Sequence, residues 1–181
     1  KDKEKAKIHL GLSDKTYISF VGLIRKYKGL ETLIRSMKLM SRNDIRLIIA
    51  GEFYEPVDRY VSLINDLDLS EKIIIYNKFL DSKMIRDYIC ASDLIIQPYI
   101  KASQSGITPL CYLYNTPLVV SNIEGLKEVI HRDKSGAIFN ETAESLSNMI
   151  LESLDEKILN SYRQNIKKSK TKYSWSSFVK E

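Results

Sequence analysis

Cysteine is scarce in this 181-residue chain, with only Cys90 and Cys111 present. Both fall inside apolar helical patterns, the usage of buried thiols in a reducing compartment and not of a disulfide framework. Histidine is equally scarce, and His9 and His131 stand too far apart to offer zinc-ligand spacing with either cysteine. No apolar run approaches the length of a membrane span, and the first residues lack a signal peptide's apolar segment. The chain has no Gly-x-Ser-x-Gly elbow, no Gly-Lys-Ser/Thr phosphate loop, no metalloprotease histidine pair and no Asp-x-Asp pair at a strand end. A Gly-x-Gly-x-x-Gly fingerprint is missing as well, because Gly22 stands alone in the first turn until Gly29, which argues against a nicotinamide or flavin enzyme. Repeats and low-complexity segments are absent.

What is present is an ordinary soluble composition, 44% apolar and 28% charged, on a length that suits one self-sufficient core. The net charge of +5 is uneven. Arg163, Lys167, Lys168, Lys170 and Lys172 crowd one stretch near the C-terminus. That stretch reads first as a solvated helical face and second as a surface for anionic lipid. No nucleic-acid recognition motif accompanies it.

Strand and helix signals alternate along the chain. Strand-like apolar runs occupy 17–21, 45–50, 72–76, 93–97, 118–120 and 136–139, and helical periodicity fills 30–40, 57–67, 83–91, 107–113, 125–130 and 143–154. The alternation predicts a doubly wound α/β domain: a parallel sheet of about six strands with helices on both faces. Its ligand crevice belongs at the carboxyl ends of the strands. Asp81 is placed to cap a helix, and Pro117 enters a strand at its first residue, where a missing N–H costs least. Residues 1–12 read as a hinge or linker helix, 13–155 as the ligand-binding domain and 156–181 as a helical tail anchored by Tyr173, Trp175 and Phe178.

Two loops carry the chemistry. The first runs Gly22-Leu23-Ile24-Arg25-Lys26-Tyr27-Lys28-Gly29 between a strand and a helix opening at Gly29. Two cations beside free helix N–H groups suit a phosphate or diphosphate. The second runs Gln97-Pro98-Tyr99-Ile100-Lys101-Ala102-Ser103-Gln104-Ser105-Gly106 into the next helix but two. Its small and neutral residues, Ser103, Gln104, Ser105 and Gly106, suit sugar hydroxyls or a diphosphate approached by backbone N–H groups. Both loops open on one edge of the predicted sheet. Asn77, after the third strand, joins that edge. His9 and His131 have no evident partner in sequence.

Taken in order, Phe20-Val21-Gly22, Lys28-Gly29, Ile49-Ala50-Gly51, Ala91-Ser92-Asp93, Pro98, Asn115-Thr116-Pro117-Leu118-Val119, Glu124-Gly125, Glu128 and Ser135-Gly136 resemble the C-terminal, donor-binding domain of family-four retaining glycosyltransferases. Those enzymes have two Rossmann-like domains, the B-type fold, and the resemblance covers roughly residues 8–155. It implies that Lys28 and its neighbour Arg25 hold the donor diphosphate and stabilise it as it leaves, with no metal cofactor. Many members carry an arginine directly after the glycine, where this chain has Leu23, so Arg25 stands in for it. The family's paired glutamates fall at Ala102 and Leu110, so neither carboxylate is present. The Ser103-Gln104-Ser105-Gly106 version is similar to one branch of the family.

The resemblance implies a nucleotide-sugar-binding half of a bacterial-type hexosyltransferase. The full enzyme would use a UDP- or GDP-sugar on a glycan or lipid-linked acceptor in polysaccharide biosynthesis. The candidate nucleotide-sugar set is Gly22, Gly29, Asn77, Ser103, Gln104, Ser105 and Gly106. The acceptor is expected on an N-terminal domain, so the isolated chain is expected to be inactive. A cytoplasmic location, with peripheral contact at the inner face of the membrane, is the matching expectation. Two alternatives stand beside it. A non-catalytic α/β ligand-binding or signalling module of the receiver kind needs acidic residues after the first strand and an aspartate after the third, where Gly22 and Asn77 stand. A nucleotide-sugar epimerase half needs a histidine and carboxylates around the cleft.

Overall fold

The computed structural model describes residues 2–170, so Tyr173, Trp175 and Phe178, the expected tail anchors, lie outside the described residues. The chain begins with helix α1 (Asp2–His9) and then alternates β1 (Thr16–Val21), α2 (Leu30–Leu39), β2 (Ile45–Ala50), α3 (Asp58–Asp66), β3 (Ile73–Tyr76) and α4 (Ser82–Ala91). The second half continues through β4 (Leu94–Gln97), α5 (Ile107–Tyr114), β5 (Leu118–Ser121), α6 (Glu124–Asp133), β6 (Gly136–Phe139), α7 (Ala143–Ser153) and α8 (Glu156–Lys170). Six strands form one parallel sheet in the order β3-β2-β1-β4-β5-β6.

Parallel neighbours need crossovers, and the helices supply them on both faces. Helix α2 packs against α7 and α3, whereas α4 packs against α1 and α5 and α5 against α8. Covered on both sides, the central strands bury nearly every residue, which is why Leu47-Ile48-Ile49-Ala50 and Leu94-Ile95-Ile96 are continuously apolar. Strand order reverses between β1 and β4, and that switch point opens a crevice at the carboxyl edge.

Side-chain caps fix the helix starts. Asp81 Oδ1 accepts the Met84 N–H at 2.8 Å to open α4, and Thr142 Oγ1 accepts the Ser145 N–H at 3.1 Å to open α7. At the amino edge, buried Asp93 accepts the Tyr17 N–H at 3.1 Å, pairs with Lys3 of α1 and lies 3.6 Å from Arg163 of α8. Ala6, Leu159 and Ile166 are buried as well. The segments read as hinge and tail therefore pack, within 2–170, onto the same body as the sheet.

Three local readings change. The helix expected to stop at Ile130 runs to Asp133 because Lys134 closes it in a left-handed conformation (φ 48°), so exposed His131 sits within α6. Cys111 is fully buried, whereas Cys90 is half-buried. His9 does acquire a neighbour, its Nδ1 lying 3.6 Å from an Asp87 carboxylate oxygen of α4.

Candidate functional site

The crevice is a cleft of about 710 Å³ formed by the loops that follow β1, β2, β3 and β4. Its floor is built by strand ends in direct contact. Hydrogen bonds continue past the strands, from the Gly22 N–H to the Ala50 carbonyl at 2.9 Å and from the Gly51 N–H to the Tyr76 carbonyl at 3.0 Å. Gly51 has φ 148°, and a Cβ there would lie 2.0 Å from the Gly22 carbonyl oxygen. A side chain at this point would force the two strand ends apart.

The basic loop is more ordered than its sequence suggests. Residues Lys26–Lys28 form a 3-10 turn that Gly29 terminates in the left-handed region, at φ 66°. Gly29 is buried, and a Cβ on it would meet the Pro98 carbonyl oxygen at 1.9 Å. Its task is to let the two loops touch, and the Ile100 N–H adds a bond to the Tyr27 carbonyl at 2.8 Å. Gly29 therefore shapes the site without lining it.

This turn delivers Lys28 to the cleft. Its ammonium lies 5.3 Å from the centroid of the Tyr99 ring and borders Gly22. Burial lowers the Lys28 pKa below the ordinary lysine value, and the nearby Arg25 charge lowers it further. Tyr99 is buried, and that burial pushes its phenol up to about 12, so it stays neutral under the ammonium. Arg25 takes a different seat. Its guanidinium stacks 4.7 Å from the Tyr54 ring centroid, outside the cleft lining. Tyr54 is held there by its N–H bonding the Ile24 carbonyl at 3.0 Å, while the Ile24 N–H bonds the Glu52 carbonyl at 2.9 Å. Among the described residues neither Arg25 nor Lys28 forms an ion pair with a carboxylate. Two cations thus rest on aromatic faces, Arg25 outside the lining and Lys28 within it; Glu52 and Asp81 bring carboxylates to the same cleft without pairing with either, so what marks this edge is the partly desolvated Lys28 charge.

The second loop faces this charge across the floor. Gln104, Ser105 and Gly106 line the cleft, and a Cβ on Gly106 would meet nothing within 4 Å. The loop is pinned by buried Gln97, whose Nε2 donates to Ser105 Oγ at 3.0 Å and whose Oε1 accepts from Thr108 Oγ1 at 3.1 Å. Ser105 Oγ also accepts the Ile107 N–H at 3.3 Å. The Ser105 hydroxyl is thus engaged within its own loop, which serves to hold the start of α5. Pro109 in the first turn of α5 forfeits an N–H that has no intrahelical partner anyway.

Two expected site residues lie elsewhere. Ser103 is exposed outside the lining, and exposed Asn77 uses its Oδ1 to accept the Phe53 N–H at 3.2 Å. Asn77 therefore ties the loops after β2 and β3 together, because its short amide reaches a backbone donor before it reaches the cleft. Ala102 and Leu110, at the positions of the family's glutamates, are half-buried and pack against the core. Residues not anticipated also border the cleft: Glu52, exposed Phe79, Leu80, Asp81 and Ser82. Asp81 was legible only as a helix cap, and the others had no sequence signal beyond position after a predicted strand. No group of three or more His, Cys, Asp or Glu side chains converges as a metal site among the described residues.

A doubly wound parallel sheet with a cleft at its switch point, bordered by Lys28 and by the loop that opens α5, is the Rossmann-like α/β arrangement, in which ligands gather at the carboxyl edge. The match to known proteins is more specific: residues 2–173 fit the glycosyl transferases group 1 family, and the chain belongs to it. An uncharacterized glycosyltransferase of Methanocaldococcus jannaschii is 27% identical over 172 residues, which are 93% of this chain and 44% of that protein. The chain spans less than half the length of the curated relatives it matches. Among solved structures, the C-terminal domain of the group 1 glycosyl transferase LpcC from Francisella tularensis superposes with a TM-score of 0.84 at 19% identity, covering 96% of this chain and 93% of that one. HepE of Anabaena in complex with UDP gives 0.83 at 17% identity, covering 94% of this chain and 48% of that one. These superpositions share the fold described above.

Proposed function

We propose that this chain is the donor-binding half of a retaining glycosyltransferase that moves a hexosyl unit from a UDP- or GDP-sugar to a glycan or lipid-linked acceptor in polysaccharide biosynthesis. The observation that carries the reading is the pair Lys28 and Arg25, two cations without carboxylate partners at the carboxyl edge, opposite the loop that opens α5. The UDP-bound state of HepE supports a nucleotide donor. Lys28 donates to the diphosphate, and the guanidinium of Arg25 adds charge from the rim. As the bond from the anomeric carbon to the diphosphate oxygen breaks, negative charge builds on the leaving group, and these fixed cations stabilise it in place of a metal. Gln104 and the backbone around Gly106 face the sugar, since Ala102 and Leu110 supply no carboxylate.

The acceptor hydroxyl and much of the water exclusion come from a second domain, so the chain alone binds donor and does not transfer. Its place is the cytoplasm, where free thiols such as Cys90 and Cys111 persist. The exposed lysines of α8, Lys167 and Lys170 among them, favour peripheral contact with anionic lipid. No helix among the described residues is long and apolar enough to cross a membrane.

The test is calorimetry of the chain with UDP, GDP and their hexose conjugates. The expected result is binding of at least one diphosphate, in the micromolar range or weaker, and no binding of the uncharged nucleosides. Absence of binding to every diphosphate refutes the reading.

A further inference from the structure

Helix α6 lies beside the cleft without lining it, yet its first turn touches the loop that does. A Cβ on Gly125 would stand 2.3 Å from the carbonyl oxygens of both Ala102 and Ser103, and 2.4 Å from the Ser103 carbonyl carbon. All three atoms are backbone, so no side chain can swing away to make room. At this place in α6 the value of glycine is therefore steric: its Cα hydrogens rest directly against two peptide carbonyls.

From these contacts we infer that Gly125 is a positioning residue, through which α6 braces the crest of the 98–106 loop and sets where Gln104, Ser105 and Gly106 stand in the donor cleft. Apart from the packing of the Ala102 side chain on the core and the Ile100 N–H bond to the Tyr27 carbonyl, the loop's other holds act at its ends. Pro98 is pressed against Gly29, the Tyr99 carbonyl accepts from Ser121 Oγ at 2.6 Å, and Gln97 grips Ser105 at 3.0 Å. Between these anchors the crest at Ala102 and Ser103 has α6 as its support. Displacing it by even a fraction of the overlap moves the donor-facing residues that follow directly. This inference rests on the donor-binding reading for its effect on affinity, but the brace itself can be read without any ligand.

The experiment compares the wild-type chain, Gly125→Ala and, as a control on the exposed last turn of the same helix, His131→Ala. Hydrogen exchange without ligand is expected to quicken across 101–106 in Gly125→Ala while the later amides of α6 keep their protection, and His131→Ala should match wild type. Calorimetry with UDP and GDP is expected to show affinity lowered about tenfold or more in Gly125→Ala. Should that variant fail to fold, exchange on the wild type decides: UDP or GDP must protect 124–127 together with 102–106, although α6 has no cleft contact. Unchanged exchange and affinity in a folded Gly125→Ala, or no ligand protection of 124–127 in the wild type, overturns the brace. A wild type that binds neither diphosphate refutes the donor reading instead, and leaves the ligand-free exchange result to judge the brace.

Discussion

Replacing Lys28 by methionine keeps the length and apolar stem of the side chain and removes only the charge. In the folded chain the ammonium is half-buried over Tyr99, next to Arg25, with no ion pair to a carboxylate among the described residues. Without ligand, then, Lys28 costs stability. Its pKa is depressed, so the unfolded chain holds the proton more tightly than the folded one. That penalty is fully present below the folded-state pKa and is relieved as pH rises toward the ordinary lysine value. Lys28→Met should consequently leave the melting temperature unchanged or raise it. With a diphosphate bound the sign reverses. A charge-assisted hydrogen bond in a partly desolvated cleft contributes about 1.5–3 kcal/mol, which corresponds to roughly 10- to 150-fold in affinity. Titration of wild type and variant with UDP and GDP, together with thermal melts of both, measures each half of the argument. Diphosphate binding in the wild type should also weaken as pH climbs through the depressed Lys28 pKa, a dependence the variant should lack. A folded Lys28→Met that binds as wild type, or one that melts several degrees lower without ligand, would refute the reasoning.

Two further outcomes follow from the loops that hold the site. Tyr54→Ala removes the ring under Arg25, a contact of about 0.5–1 kcal/mol at an exposed position, and should weaken diphosphate binding roughly two- to fivefold; Tyr54→Phe keeps the ring and should bind as wild type in the same titration. Gln97→Leu strands the hydroxyls of Ser105 and Thr108, at a cost of about 1–3 kcal/mol, so melts should fall by ~2–4 °C per kcal/mol in a chain of this size, with unchanged melting counting against the proposed pin.

The elements of this fold were legible because their signals are local. Short, β-branched, continuous apolar runs read as strands buried on both faces, and Asp81 announced the start of α4 by its place before the Met84 and Ile85 face. The charged loop between β1 and α2 was likewise visible as a candidate anion site, since a strand-to-helix turn fixes which edge of a parallel sheet it occupies. Within the site, sequence order separated residues poorly. Lys28 and Arg25 are three positions apart, yet one enters the cleft and the other stacks on Tyr54 at its rim. Asn77, Ser103 and the Ser105 hydroxyl looked available to a ligand, yet Asn77 is spent on the loop after β2 and Ser105 on Gln97 at the end of its own strand.

Glycines show the same division. Gly22 and Gly29 could be read from their loop and Gly51 and Gly125 from the family resemblance, while the close approaches at Gly29, Gly51 and Gly125 depend on partners tens of residues away that no local pattern names. The sequence by itself determined the alternation of strands and helices, the edge of the sheet on which the crevice opens and the basic loop that stands there, because propensity, periodicity and turn chemistry act over a few residues. Only the tertiary structure decided which of those side chains are free to meet a ligand, because long-range contacts such as Asn77 to Phe53 and Gly125 to Ser103 claim polar groups and space that no local pattern records.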